Sequence, residues 1–150
     1  MKSKEASFNI PSNVIKWGRY YARFAQDEKD LEEVFKLRFE VFNLELGEGL
    51  KESYESGQDR DKYDDVCHHL MVFDGRDGSV IGTYRMQTYE QSKILGKFYS
   101  QEEFVFDELP KDKLFEAVEV GRSCVHKDYR NGKVLGLLWK GIAFYMMHFK

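Results

Sequence analysis

Cysteine is scarce in this chain, with Cys67 and Cys124 the two thiols among 150 residues. One pair in apparent strands, with no secretory signal, points to reduced thiols and a cytoplasmic protein. The opening MKSKEASFNIPSNVIKW has no continuous apolar stretch such as a signal peptide needs. No apolar run reaches transmembrane length, and the C-terminal one is interrupted by Lys140. An excess of basic residues is missing too. The formal net charge of −3 argues against nucleic-acid binding through a basic surface. CxxC, HxxxH and GxSxG spacings are absent, as are internal repeats and low-complexity segments. Cys67, His68 and His69 are adjacent, but strand alternation turns His68 away from the other two, so no metal site is expected. Ser123 likewise lacks a hydrolase signature.

What is present describes one folded domain. The chain is 42% hydrophobic, 15% aromatic and 33% charged, enough apolar material for a real core. Residues 1–17 read as a loose N-terminal arm and 18–150 as the domain. GRYYARFA (18–25) is a first strand, and Asp27 an N-cap for a helix over about 28–45. Residues 46–65 carry three glycines and little periodicity, which predicts a long mobile loop. A hairpin follows, CHHLMVFD and SVIGTYRMQTY joined by a Gly/Asp turn. A short helix over 90–104, a connection through Pro110 and a strand ending near 126 come next. The last helix, about 133–148, is apolar nearly all round, which predicts cover on several sides. The order implies an α/β fold, a mixed central sheet flanked by helices. The uncovered last helix leads us to expect a domain incomplete at its C-terminus, or one covered there by a partner.

EVGRSCV (119–125) reads as the most buried strand, yet it carries Glu119 and Arg122. Charges in such a place need partners. Residues three apart in a regular strand face opposite ways, so a bulge at Gly121 would be needed to bring the two together. On the return strand of the hairpin, Ile81, Thr83 and Arg85 share one face and Val80, Gly82, Tyr84 and Met86 the other. Arg38 lies on the apolar face of the first helix. Arg38, Arg85, Glu119 and Arg122 are therefore candidates for one partly buried ionic cluster, either a reactive centre or a structural network. DRDKYDD adds Asp59, Asp61, Asp64 and Asp65, which suit a cationic amine, a divalent metal or a solvated acidic loop. Lys127, Arg130, Asn131, Gly132 and Lys133 bracket the turn into the last helix. Free backbone N–H groups and the helix dipole there would attract a phosphate or pyrophosphate; the alternative is a solvated basic turn.

In order and spacing, LRFEVF (Arg38, Phe42), DKYD (Asp61, Asp64), VIGTYR (Gly82, Arg85) and VEVGRSCV (Glu119, Arg122) make residues 18–150 resemble a known group. It is the acyl-carrier-dependent N-acyltransferases of the GNAT superfamily, which include N-acyl amino acid, ornithine-lipid, glycine-lipid and acyl-homoserine-lactone synthases. The resemblance implies a GNAT-like sheet and transfer of a fatty acyl chain to the amine of an amino acid or related small amine. Acyl-phosphopantetheine, on acyl carrier protein or coenzyme A, would be the co-substrate, with no permanently bound cofactor. Glu119, Arg122 and Arg85 would be catalytic, and Arg38, Phe42, Asp61 and Asp64 would serve the acceptor. Val125, Lys127, Arg130, Asn131, Gly132 and Lys133 would occupy the place of the pyrophosphate loop. That loop departs from the usual Arg/Gln-x-x-Gly-x-Gly/Ala pattern, which favours a carrier-protein donor. Homoserine-lactone synthases normally carry a Trp after the first helix, where this chain has Leu50 and Tyr54. A lipid product would imply peripheral membrane contact. The alternatives are an acetyl-CoA-dependent small-amine acetyltransferase and a non-catalytic acyl-binding domain.

Overall fold

Asp27 begins the first long helix as its short acidic side chain suggests. It accepts a hydrogen bond from the Asp30 N–H, and Glu28 and Asp30 place negative charge in the first turn of α1, Glu28–Arg38. The computed structural model describes residues 9–149. Residues 1–8 of the expected N-terminal arm, and Lys150, lie outside them. Within that arm Ile15–Trp17 form a short strand, β1, paired with β2, Tyr20–Phe24.

After Arg38 the chain keeps winding through Phe39–Glu45, but as a π-helix. The wider turn shifts the helical face, so Val41 is buried while Leu44, one turn on, is exposed. A single turn, α2 (Ser53–Ser56), precedes the hairpin of β3, His68–Asp74, and β4, Val80–Thr88. Then come α3 (Tyr89–Leu95), a 3-10 turn at Tyr99–Glu102, α4 (Lys111–Phe115) and β5 (Val118–Val125). A 3-10 turn at Lys127–Tyr129 leads to α5, Gly132–His148.

The strands lie in the order β1-β2-β3-β4-β5. The α/β class and the helix-flanked sheet are as the sequence implied. Every pairing among the described residues is antiparallel, however, where a mixed sheet was expected. EVGRSCV needs a further correction. It forms β5, an edge strand with Cys124 its one fully buried residue, whereas all seven residues of β3 are buried. Its valines suggested a centre, but β5 is covered on fewer sides.

Two bulges set which side chains share a face. Between Val72 and Phe73 the β3–β4 register shifts, so Ile81 joins the core under α5 while Val80 turns toward α1. This reverses the expected faces of those two residues. The second lies between β4 and β5. Arg85 pairs with Gly121 and Thr83 with Cys124, leaving Arg122 and Ser123 opposite Tyr84 alone. The bulge therefore falls one residue beyond Gly121, and Arg122 itself takes φ +47°.

One face of the sheet packs on α5 through Leu70, Val72, Met86, Leu137 and Leu138, burial worth roughly 1.5–3 kcal/mol per side chain. Gly141 lets the helix come close, since a Cβ there would stand 2.2 Å from Leu70. Tyr145 is fully buried and bonds His68 Nδ1 at 2.9 Å and Gln91 Oε1 at 3.0 Å, tying α5 to β3 and α3. The opposite side of α5 presents Leu135, Trp139, Met146 and Met147 exposed, so among the described residues the helix is covered on one side. The other face of the sheet packs on α1 through Met71, Phe73, Val34 and Phe35, and toward β5 it becomes polar.

Candidate active site

Three arginines from three elements converge on one acidic loop. Arg38, at the end of α1, donates from Nε to Asp59 at 2.7 Å and grips both oxygens of Asp64 at 2.7 and 3.0 Å. Arg85, from β4, donates from one nitrogen to Asp61 at 2.7 Å and to Asp64 at 3.0 Å. Arg122, in the β5 bulge, reaches Asp59 at 3.0 Å and lies over the Phe42 ring. The backbone adds its own anchors, Asp61 N to Asp64 at 2.7 Å and Asp59 N to the Phe35 carbonyl at 3.0 Å.

The segment read as a mobile loop is thus fastened to the core. Asp59, Tyr63 and Asp64 are all buried. Three guanidiniums meet three carboxylates, so the cluster balances its own charge and long buried ions keep their partners. Burial opposes ionisation of Asp64, but Arg38 and Arg85 outweigh it and hold the carboxyl well below the usual range. Burial likewise works against the charge on Arg85, and Asp64 and Asp61 overcome it. His69 lies against Phe35 on this face and is pushed down to about 4, by burial first and by Arg38 and Arg85 besides. It is neutral at pH 7, and its Nε2 lies 3.2 Å from the Asp64 carbonyl.

Arg38 and Asp64, expected at the acceptor, have no surface to offer it. Arg38 is 0% and Asp64 2% exposed, and Arg38 is taken up by Asp59 and Asp64, Asp64 by Arg38, Arg85 and the Asp61 N–H. Their geometry is that of a clamp on the loop. Phe42, half-buried, supports Arg122.

Beside this lattice lies a cavity of about 160 Å³ lined by Arg85, Gln87, Tyr99, Ser100, Glu119 and Arg122, with Cys67 at its edge. The β5 bulge brings Glu119 and Arg122 to the same cavity, although they form no ion pair there. Instead Glu119 accepts from Tyr99 N at 2.9 Å, from Ser100 N at 2.8 Å and from the Ser100 hydroxyl. A carboxylate has about four lone-pair sites, so one remains for a further donor. Burial raises both thiols, Cys124 to about 12, which rules out a thiolate nucleophile near neutral pH.

The basic turn sits at the far end of β5. Arg130 donates to Glu45 at 2.7 Å and to the Val125 carbonyl at 3.1 Å. Asn131 caps α5 by accepting from Lys133 N and Val134 N, so part of the expected anion cradle is already filled by the chain. Lys127, Gly132 and Lys133 are exposed, and the last two line an open groove of about 780 Å³ together with Trp17 and Arg19.

Comparison with known proteins bears on this arrangement. A family model described as an acetyltransferase (GNAT) domain matches residues 37–140. The chain belongs to this family. The L-ornithine N(alpha)-acyltransferase of Brucella abortus (strain 2308) is 31% identical over 97% of this chain and 55% of its own length. The protein of the same name from Agrobacterium fabrum (strain C58 / ATCC 33970) is 31% identical over 83% of this chain and 45% of its own. The chain spans about half the length of the curated relatives it matches. Two solved structures share the GNAT fold at 20% identity. The acyl-homoserine-lactone synthase LasI superposes with TM-score 0.56 over 91% of this chain and 68% of its own. BjaI, a CoA-dependent acyl-homoserine lactone synthase solved with SAM and isopentyl-CoA, gives 0.53 over 80% and 55%.

Sequence reasoning named the three arginines, Asp61, Asp64 and Glu119, but it gave Asp59 no special part and passed over Gln87, Tyr99 and Ser100. Charge counting could have found Asp59, since three arginines turned into the fold, two of them buried, need three carboxylates. Gln87 continues the Thr83–Arg85 face by simple alternation. The donors from Tyr99 and Ser100 carried no signal.

Proposed function

We propose that this protein is an N-acyltransferase that moves a fatty acyl chain from a phosphopantetheine thioester to the amine of an amino acid, with L-ornithine the first acceptor to test. The observation that carries this reading is the small polar cavity, with an oriented carboxylate, Glu119, beside a charge-balanced lattice. The names of the relatives supply the acceptor class.

An ammonium cannot attack a thioester, so it must first give up a proton. Glu119 takes it, directly or through a water, on the lone pair its three donors leave unused. The amine nitrogen then bonds to the thioester carbon, and charge collects on the carbonyl oxygen. Backbone N–H groups of the Arg122–Ser123 bulge, where ladder pairing is interrupted, are suited to stabilise it. The bonded nitrogen gives up a second proton, the C–S bond breaks, and the leaving thiolate takes that proton. Arg85 and Arg122 hold the acceptor side and Asp61 fastens Arg85, so much of the rate comes from positioning.

One feature favours a long-chain donor over acetyl-CoA. An apolar cavity of about 380 Å³, lined by Phe98, Phe106, Leu109 and Leu114, shares Ser100, Glu119 and Val120 with the polar one. The basic turn of Lys127, Arg130 and Lys133 lies about 20 Å from Glu119 along the strand, a span for an extended thioester arm. It suits an acidic carrier protein, with Val125, Asn131 and Gly132 along the way. We expect Glu119→Gln to lower turnover at least roughly tenfold on a long-chain acyl-carrier thioester, with circular dichroism unchanged. Wild-type turnover in that variant would remove Glu119 as the base.

A further inference from the structure

The polar cavity contains a side chain to which the described residues supply no partner. Gln87 is 1% exposed, and neither its Oε1 nor its Nε2 has a hydrogen-bond partner. The Nε of Arg122, in the wall of the same cavity, is also buried and unpartnered. Buried polar groups are nearly always satisfied, and an amide empty at both ends is among the costly exceptions. Gln87 lies directly across the ladder from Glu119, so the two side chains stand next to each other on one face. The space they share would hold roughly five waters.

The unfilled groups form a defined set. Gln87 offers an acceptor oxygen and a donor NH2 group, Arg122 offers a further N–H, and Glu119 adds a carboxylate. A molecule with an ammonium and a carboxylate on the same carbon would satisfy all of them. We propose that Gln87 and Arg122 Nε form the subsite for the α-amino-acid head of the acyl acceptor. The ammonium donates to Glu119 and to Gln87 Oε1; the carboxylate accepts from Gln87 Nε2 and Arg122 Nε. This rests on the acyl-transfer reading and adds to it a residue that tells amino acids from plain amines. An amine without a carboxylate leaves two buried donors empty, the situation in which polar sites discriminate most sharply.

The test is Gln87→Met, which keeps the size of the side chain and removes both polar atoms. Wild type and variant are titrated by calorimetry with L-ornithine, with glycine, and with putrescine as the carboxylate-free control. Acyl transfer and thermal stability are measured in parallel. The variant should raise Kd and KM for the amino acids roughly tenfold or more. The donor KM should stay within about twofold, and Tm should not fall, because an unpartnered amide has been removed. Putrescine should bind weakly to both proteins. Amino-acid affinity unchanged by the substitution, or no binding of either amino acid to wild type, overturns the subsite. A clear drop in Tm also overturns it, since the amide would then be satisfied by structural water. Gln87-dependent binding without acylation upholds the subsite and sinks the acyl-transfer reading. Acylation with a Gln87-independent KM does the reverse.

Discussion

The two faces of the sheet are packed by different means. Under α5 the contacts are apolar and aromatic, and the polar groups found there, His68, Gln91 and Tyr145, bond one another. Under α1 the apolar contacts give way toward β5 to three arginines, three carboxylates and a cavity. The first face tolerates small shifts because dispersion and burial are non-directional. The second depends on directional pairs whose members are costly alone. The face that holds the sheet together and the face that can do chemistry are thus separated by one layer of strands.

Breaking the ionic face should cost most. Arg38→Met leaves Asp59 and Asp64 buried with too little positive charge, and a loss of about 3–5 kcal/mol is expected in urea unfolding. A loss below about 1 kcal/mol would mean the lattice contributes no more than surface pairs do. On the apolar face, Gly141→Ala pits improved helix propensity against a clash with Leu70 at 2.2 Å. The clash should win by about 1–3 kcal/mol. A stabilised variant would show that α5 can slide.

Acid distinguishes the faces more gently. His69 has its folded pKa lowered to about 4 from an ordinary 6.5. Between those values the unfolded chain binds more protons, so stability falls as pH drops through that window, by roughly 1–2 kcal/mol at pH 5. Asp64 is also held low, so its contribution is present above its ordinary value of 3.8 and is lost only below it. His69→Gln should flatten the unfolding free energy between pH 6.5 and 4; an unchanged slope would assign that loss elsewhere.

Much of this architecture was legible beforehand where local chemistry decides it. Asp27 capped its helix, the Gly/Asp turn closed its hairpin, and His68 and His69 alternated faces. The ionic partners were legible in kind, since buried arginines must find carboxylates, but long-range packing chose among Asp59, Asp61 and Asp64. The failures came where periodicity itself changes. The π-helical winding after Arg38 moved Leu44 outward, and the bulge beside Val72 exchanged Val80 and Ile81. Valine content also misjudged β5, because it reports preference for strand and not position in the sheet.

The bulge at Arg122 and Ser123 can also be taken as a matter of counting. A strand alternates like a two-letter clock, and one extra residue advances the clock by half a cycle. Arg122 meets Asp59 because of how many residues lie between Gly121 and Cys124, and a substitution alone leaves that number untouched. A one-residue deletion there would turn the guanidinium to the other face while every remaining side chain kept its identity. When this strand is aligned with others, a gap at Arg122 or Ser123 therefore carries as much chemical information as a changed residue.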